Sequence, residues 1–153
     1  GARMRWLIRR LGPGDTQAAA QLYAALAEWL DAPGPALRPA EVDALLARPD
    51  LWSVAAFDGA RVIGGLTAHV LPMTRAAGVE LFIYDLAVAE SHRRLGVGRA
   101  LLAFLRRQDP GPRLLGIFVF AEADDEAEAG AFYRARGGEA AAATMYSFGA
   151  EAG

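Results

Sequence analysis

The sequence predicts an α/β domain built on a mixed sheet. Three observations lead there. Segments with apolar residues at helical spacing interleave with unbroken or alternating apolar runs. With 17 glycines and 8 prolines, turns are frequent. A content of 54% hydrophobic and 22% charged residues in 153 suits one core and is too apolar for a disordered chain.

The elements follow in order. Residues 3–9 alternate weakly and read as a first strand. Residues 14–30 form a helix, with Leu22, Leu26, Trp29 and Leu30 on one face and Asp15 or Thr16 as cap. Asp31-Ala-Pro-Gly-Pro breaks it. A short helix over 39–47 turns Val42, Leu45 and Leu46 inward. Strands at 51–58 and 61–71 flank Gly59, which suits a tight hairpin. Residues 79–88, VELFIYDLAV, have little polar relief and read as a central strand. Residues 97–107 are helical, 113–120 form a buried strand, and 126–136 are helical, with Ala127, Ala131 and Phe132 inward. The stretch 142–148 reads as a last strand. That makes six strands and four helices in one domain over 3–149, without linker or repeat.

Several function classes drop out. No apolar stretch reaches the length of a membrane span, and the start does not read as a secretory signal. There is no cysteine, so no disulfide framework and no thiol nucleophile; this suits a cytoplasmic location. His69 and His92 lie far apart, in no metal-ligand spacing, and no metal is expected. A net charge of −2 does not favour a nucleic-acid partner.

The most informative segment is DLAVAESHRRLGVGRALL, from Asp85 to Leu102. A buried strand ends near Ala89, and Arg93, Arg94, Gly96 and Gly98 lead into an amphipathic helix. Glycines let backbone approach a ligand closely. A helix start presents unpaired N–H groups and a dipole that favours anions. The third glycine of a dinucleotide fingerprint is missing, as are the lysine and hydroxyl of a P-loop. What spacing alone predicts is an anion site at a strand–helix junction.

The Arg-x-x-Gly-x-Gly pattern of Arg93, Gly96 and Gly98, after Leu86, Ala87 and Val88, resembles the acetyl-coenzyme A signature of the GCN5-related N-acetyltransferase (GNAT) superfamily. The resemblance covers about residues 3–148 and implies that superfamily's fold, a mostly antiparallel mixed sheet of six to seven strands flanked by about four helices. It implies acetyl-coenzyme A as cosubstrate. The backbone of Leu86, Ala87 and Val88 would pair with the pantetheine arm. The segment Arg93, Arg94, Leu95, Gly96, Val97, Gly98 and Arg99 would hold the pyrophosphate.

Tyr133 sits late in the helix of AGAFYRARGG. A phenol there can protonate a leaving thiolate or simply pack. The superfamily often has Leu/Phe-Tyr and then Gly at this point; Phe132, Tyr133 and Gly137 match, which implies the thiolate role.

Two acids stand out. Asp85 interrupts an apolar strand, where a carboxylate is expensive unless paired or wet. Glu122 ends a buried strand, where ligands gather, and opens the run EADDEAE with Asp124. The plain reading of that run is a solvated loop whose acids cap a helix. An acidic pocket implies a cationic acceptor, and a carboxylate can take the proton of the attacking amine. FIYDLAVAESHRR further resembles the class I aminoglycoside 3-N-acetyltransferases through Ile83, Tyr84, Asp85, Leu86, Ala87, Val88, His92, Arg93 and Arg94. Phe82 replaces that group's tyrosine, Phe120 a glutamine and Glu122 an aspartate. Trp29 and Asp31 fall where that group carries an aromatic and acids beside the acceptor; the alternative is a core tryptophan and a helix-ending aspartate. Tyr84 lines the acceptor channel or packs in the core, and His92 lies near phosphate or at the surface.

The first functional expectation is therefore transfer of acetyl from acetyl-coenzyme A to an aminoglycoside, at its 3-amino group, by direct attack in a ternary complex. An acetyltransferase for a protein N-terminus, a lysine or a polyamine is the second. A non-catalytic acetyl-coenzyme A-binding module is the third. A homodimer through the last strands is compatible with the apolar Met145, Tyr146 and Phe148.

Overall fold

The computed structural model describes residues 6–121 and 126–150. The chain forms two compact units, one running to Val119 and one starting at Phe120. The first contains β1 (Leu7–Leu11), α1 (Thr16–Trp29), α2 (Pro39–Leu46), β2 (Leu51–Asp58), β3 (Arg61–Pro72), β4 (Val79–Val88), a 3-10 turn at Glu90–His92, α3 (Val97–Arg106) and β5 (Leu114–Val119). The strands make one sheet in the order β1-β2-β3-β4-β5. Three of its ladders are antiparallel and β4–β5 is parallel.

The helices start and stop for local reasons. Ahead of α1, the Asp15 carboxylate accepts the Gly12 N–H at 2.8 Å and the Arg9 guanidinium at 3.1 Å. It thereby fastens the turn from β1 instead of capping the helix through its side chain. At the other end Asp31 takes a left-handed conformation, φ 52°. The Ala32 N–H reaches back to the Ala27 carbonyl at 2.9 Å, the six-to-one bond of a Schellman ending. In α2, Pro39 occupies the first helical position, and the Glu41 carboxylate accepts the Arg38 N–H at 2.9 Å.

Leu22 and Leu26 of α1 with Val42 and Leu46 of α2 bury one sheet face around Leu11, Ala55, Phe57 and Val62. Trp29 packs at the margin of this cluster, and Leu30 is exposed. α3 buries Val97, Leu101, Leu102 and Leu105. Gly64 and Gly65 of β3 make room for the helices. A Cβ on Gly64 would lie 2.9 Å from the Val97 side chain, and one on Gly65 would lie 2.2 Å from the Leu22 side chain. Adjacent strand residues face opposite ways, so α3 covers one face and α1 the other.

The second unit contains a π-helical turn at Glu126–Gly130 leading into α4 (Ala131–Ala135). The helix expected over 126–136 is thus α-helical only over Ala131–Ala135. Ala127 and Ala131, expected inward, are exposed, and Phe132 is half-buried. α4 ends on Gly137, φ 89°, with the Gly138 N–H bonded to the Tyr133 carbonyl at 2.9 Å.

The strand count is corrected. Among the described residues the sheet has five strands, not six to seven. The strand expected at 142–148 makes no ladder, and Met145, Tyr146 and Phe148 are exposed. Strand propensity without a paired edge does not make a strand. β1 runs to Leu11, past the predicted end at residue 9, and residues 3–5 of that prediction lie outside the described residues.

Candidate active site

β4 changes character halfway along. Its ladder with β3 runs the whole length, from Val79 opposite Pro72 to Val88 opposite Gly64. Its ladder with β5 covers only Val79 to Ile83. Beyond that point the backbone of residues 84–88 has a strand on one side only, among the described residues. An open strand edge is a row of donors and acceptors that an extended amide chain can complete. Leu86, Ala87 and Val88 lie on this edge.

The break coincides with a bulge. Ile83 pairs with Ala68 and Asp85 with Thr67, so Tyr84 is the extra residue. Its ring stands 65% exposed, edge-on to His69 at 5.8 Å and to Phe82 at 5.5 Å. Asp85, half-buried, accepts a hydrogen bond from the Thr67 hydroxyl at 3.0 Å. On the same row, Ser53 pairs with Thr67 across β2–β3 and bonds the Tyr23 phenol of α1 at 2.6 Å. Burial pushes the Tyr23 phenol above its ordinary range, so it stays protonated.

After β4 the chain turns sharply. The Ala89 N–H bonds the Ile63 carbonyl at 2.9 Å. The His92 ring is held on both sides, by Ser91 Oγ at 2.8 Å and by Asp58 Oδ2 at 2.9 Å. That ties the turn to the β2–β3 hairpin. Arg93 Nε donates to the Val88 carbonyl at 3.3 Å. Arg94 and Gly96 then take left-handed conformations, φ 62° and 92°. The Ala100 N–H closes the first helical bond, onto the Gly96 carbonyl at 3.0 Å. The amides of Val97, Gly98 and Arg99 precede it and have no partner within the helix. Val97 is buried, whereas Arg93, Arg94, Leu95 and Arg99 are exposed. Open amides and arginines at this place suit a pyrophosphate, so the residues fit a coenzyme A arm along 84–88 and its phosphates at the α3 start.

The remaining sequence candidates divide. Trp29 lines a cleft with Glu28, Arg61, Ala89, Glu90 and Arg93, which puts the end of α1 beside the turn that precedes α3. Asp31 is exposed, and its backbone ends α1. Tyr133 is half-buried, with Phe132 edge-on at 5.2 Å, and burial raises its phenol above the ordinary range. Glu122 and Asp124 lie outside the described residues. Sequence reasoning missed Thr67, Ser53 and Tyr23. The available signal was a threonine at an inward position of an apolar strand. No group of three potential metal ligands occurs among the described residues, and no described helix is long and apolar enough to cross a membrane.

Residues 17–138 match the model of the acetyltransferase (GNAT) family. An aminoglycoside acetyltransferase, HMB0005, from an uncultured soil metagenomic sample is similar in structure, with TM-score 0.87 and 27% identity over 97% of this chain and 100% of that one. A second, meta-AAC0020 from such a sample in complex with sisomicin, has TM-score 0.79 and 25% identity over 94% and 96%. The aminoglycoside N-acetyltransferase AAC(6')-Iy in complex with CoA shares the fold, with TM-score 0.73 and 18% identity over 95% of each chain. No curated protein sequence matches this one.

Proposed function

The chain belongs to the acetyltransferase (GNAT) family and is an acetyl-transferring enzyme; from that premise we propose that it acetylates an aminoglycoside, at the 3-amino group, from acetyl-coenzyme A. The reading takes residues 3–149 as one catalytic domain. The observation that carries it is the open half of β4, where Asp85 stands beside the unpaired edge and the edge leads into the open start of α3. Similarity to two aminoglycoside acetyltransferases, one in complex with sisomicin, supports the acceptor class.

Acetyl-coenzyme A supplies an acyl thioester. Leu86 to Val88 hold the pantetheine arm through their backbone, and the amides and arginines of 93–99 hold the phosphates. Asp85, with Glu122 and Asp124, binds the cationic acceptor and takes the proton of the attacking amine. The amine nitrogen bonds to the acetyl carbon, the C–S bond breaks, and Tyr133 gives its proton to the departing sulfur. The raised phenol stays protonated to higher pH than a free tyrosine, which suits a donor. Tyr84 and Trp29 border the acceptor, with Asp31 adding charge. The chain has no cysteine to carry an acyl group, which favours direct transfer in a ternary complex. The exposed Met145, Tyr146 and Phe148 support a homodimer, and the enzyme works in the cytoplasm.

Free-thiol release from acetyl-coenzyme A tests this, with gentamicin, sisomicin, kanamycin, spermidine and a basic peptide as acceptors. Turnover confined to the aminoglycosides is expected, with the product amide mapped to the 3-position. Turnover confined to spermidine or the peptide would overturn the acceptor class and leave the family standing. In the same assay Tyr133→Phe should lower kcat by about a hundredfold, within the range of a lost general acid.

A further inference from the structure

We infer that Thr67 is a positioning residue: its hydroxyl holds one Asp85 oxygen so that the other is presented to the acceptor's amine. The inference rests on the reading of Asp85 given above.

Among the described residues only two polar side chains are buried, Ser53 at 3% and Thr67 at 9% exposure. They sit opposite each other across β2–β3, and Asp85 is the next residue of the same row. A buried hydroxyl needs a hydrogen bond, and valine has nearly the shape of threonine without that need. Ser53 answers to the Tyr23 phenol and Thr67 to Asp85 Oδ2. Packing therefore does not account for a hydroxyl at 67. The carboxylate does.

An aspartate side chain turns about two bonds, and a rotated carboxylate would point its charge elsewhere. Thr67 hangs from a strand paired on both sides, so its hydroxyl is a fixed reference. The bond occupies Oδ2 alone. Oδ1 is then held in a fixed plane, with its lone pairs free to meet an ammonium or take its proton. The bulge at Tyr84 is what brings Asp85 onto this row.

The test is a double-mutant cycle read by thiol release, with coenzyme binding by calorimetry as the check on folding. Thr67→Val should lower kcat/KM for the acceptor about tenfold, the size of a lost hydrogen bond to a charged group. Coenzyme affinity should be unchanged. Thr67→Ser, which restores the hydroxyl, should recover activity to within about twofold. Thr67→Ala repeats the measurement without a new methyl group. In an Asp85→Asn background Thr67→Val should cost nothing further, since the two act as one unit. Full activity in Thr67→Val, with Asp85→Asn inactive, would overturn the inference and leave the reading of Asp85 intact. Equal loss in Thr67→Ser and Thr67→Val would also overturn it, by showing that packing matters and the hydroxyl does not. Full activity in Asp85→Asn would overturn the reading of Asp85 itself, and the inference with it.

Discussion

The two halves of β4 are consecutive in sequence and opposite in character. From Val79 to Ile83 the strand is paired on both sides, and Leu81 and Ile83 are 0% and 1% exposed. From Tyr84 to Val88 it is paired on one side, Tyr84 stands exposed, and the rest are half-buried. The first half is a core strand and the second is an open edge. One continuous apolar run encodes both, so the difference lies in what the neighbours do. β5 ends at Val119, and a bulge opens at Tyr84.

The largest stability effect should come from the closed half. Leu81→Ala should lower unfolding free energy by about 2–5 kcal/mol, the range for a buried leucine. Leu86→Ala should cost less than half of that, while acetyl transfer falls. Urea melts and thiol release on both variants would erase the contrast if Leu86→Ala proved the more destabilising. Next is the strand that both halves share. Gly65→Ala places a Cβ 2.7 Å from the Val54 carbonyl as well as against Leu22, so the backbone must shift. Overpacking of that kind costs about 1–3 kcal/mol. An unchanged melt would show that both α1 and the β2–β3 pair can give way.

A smaller effect is expected where the open half leads. Gly96 has φ 92°, and a Cβ there meets nothing within 4 Å. Gly96→Ala should therefore cost backbone strain alone, about 1–2 kcal/mol. Weaker coenzyme binding by calorimetry should accompany it, because the amides of the turn are displaced. The smallest change asks what the end of α1 does. Asp31→Gly relieves a left-handed residue and should raise stability by about 0.5–1 kcal/mol. Unchanged KM for the acceptor would confine Asp31 to its backbone role; a raised KM would give its carboxylate a part in binding.

Much of the first unit was legible because its signals are local. β2 and β4 lie where their apolar runs predicted, and the Gly96–Gly98 pattern sits at a helix start. The less legible features depend on partners. Nothing in FIYDLAV marks Tyr84 as an inserted residue; that is fixed by its register against β3. Thr67 is an unremarkable strand residue until Asp85 lies across from it. Gly64-Gly65 could have been read, since a glycine pair inside an apolar strand signals close approach. At 142–148 propensity misled, because a strand needs an edge to pair with. Asp31 sits where α1 ends, one of the two positions its sequence context allowed.

The bulge at Tyr84 sets the phase in which the rest of β4 is read. Ile83 and Asp85 are two apart and would share a face in a regular strand; across the bulge they oppose neighbouring residues of β3 and face opposite ways. Were Tyr84 instead drawn into the ladder opposite Thr67, Asp85 would turn toward the side that α3 covers, and Leu86, Ala87 and Val88 would swap faces. Every residue would survive in name, and the site would be read inside out.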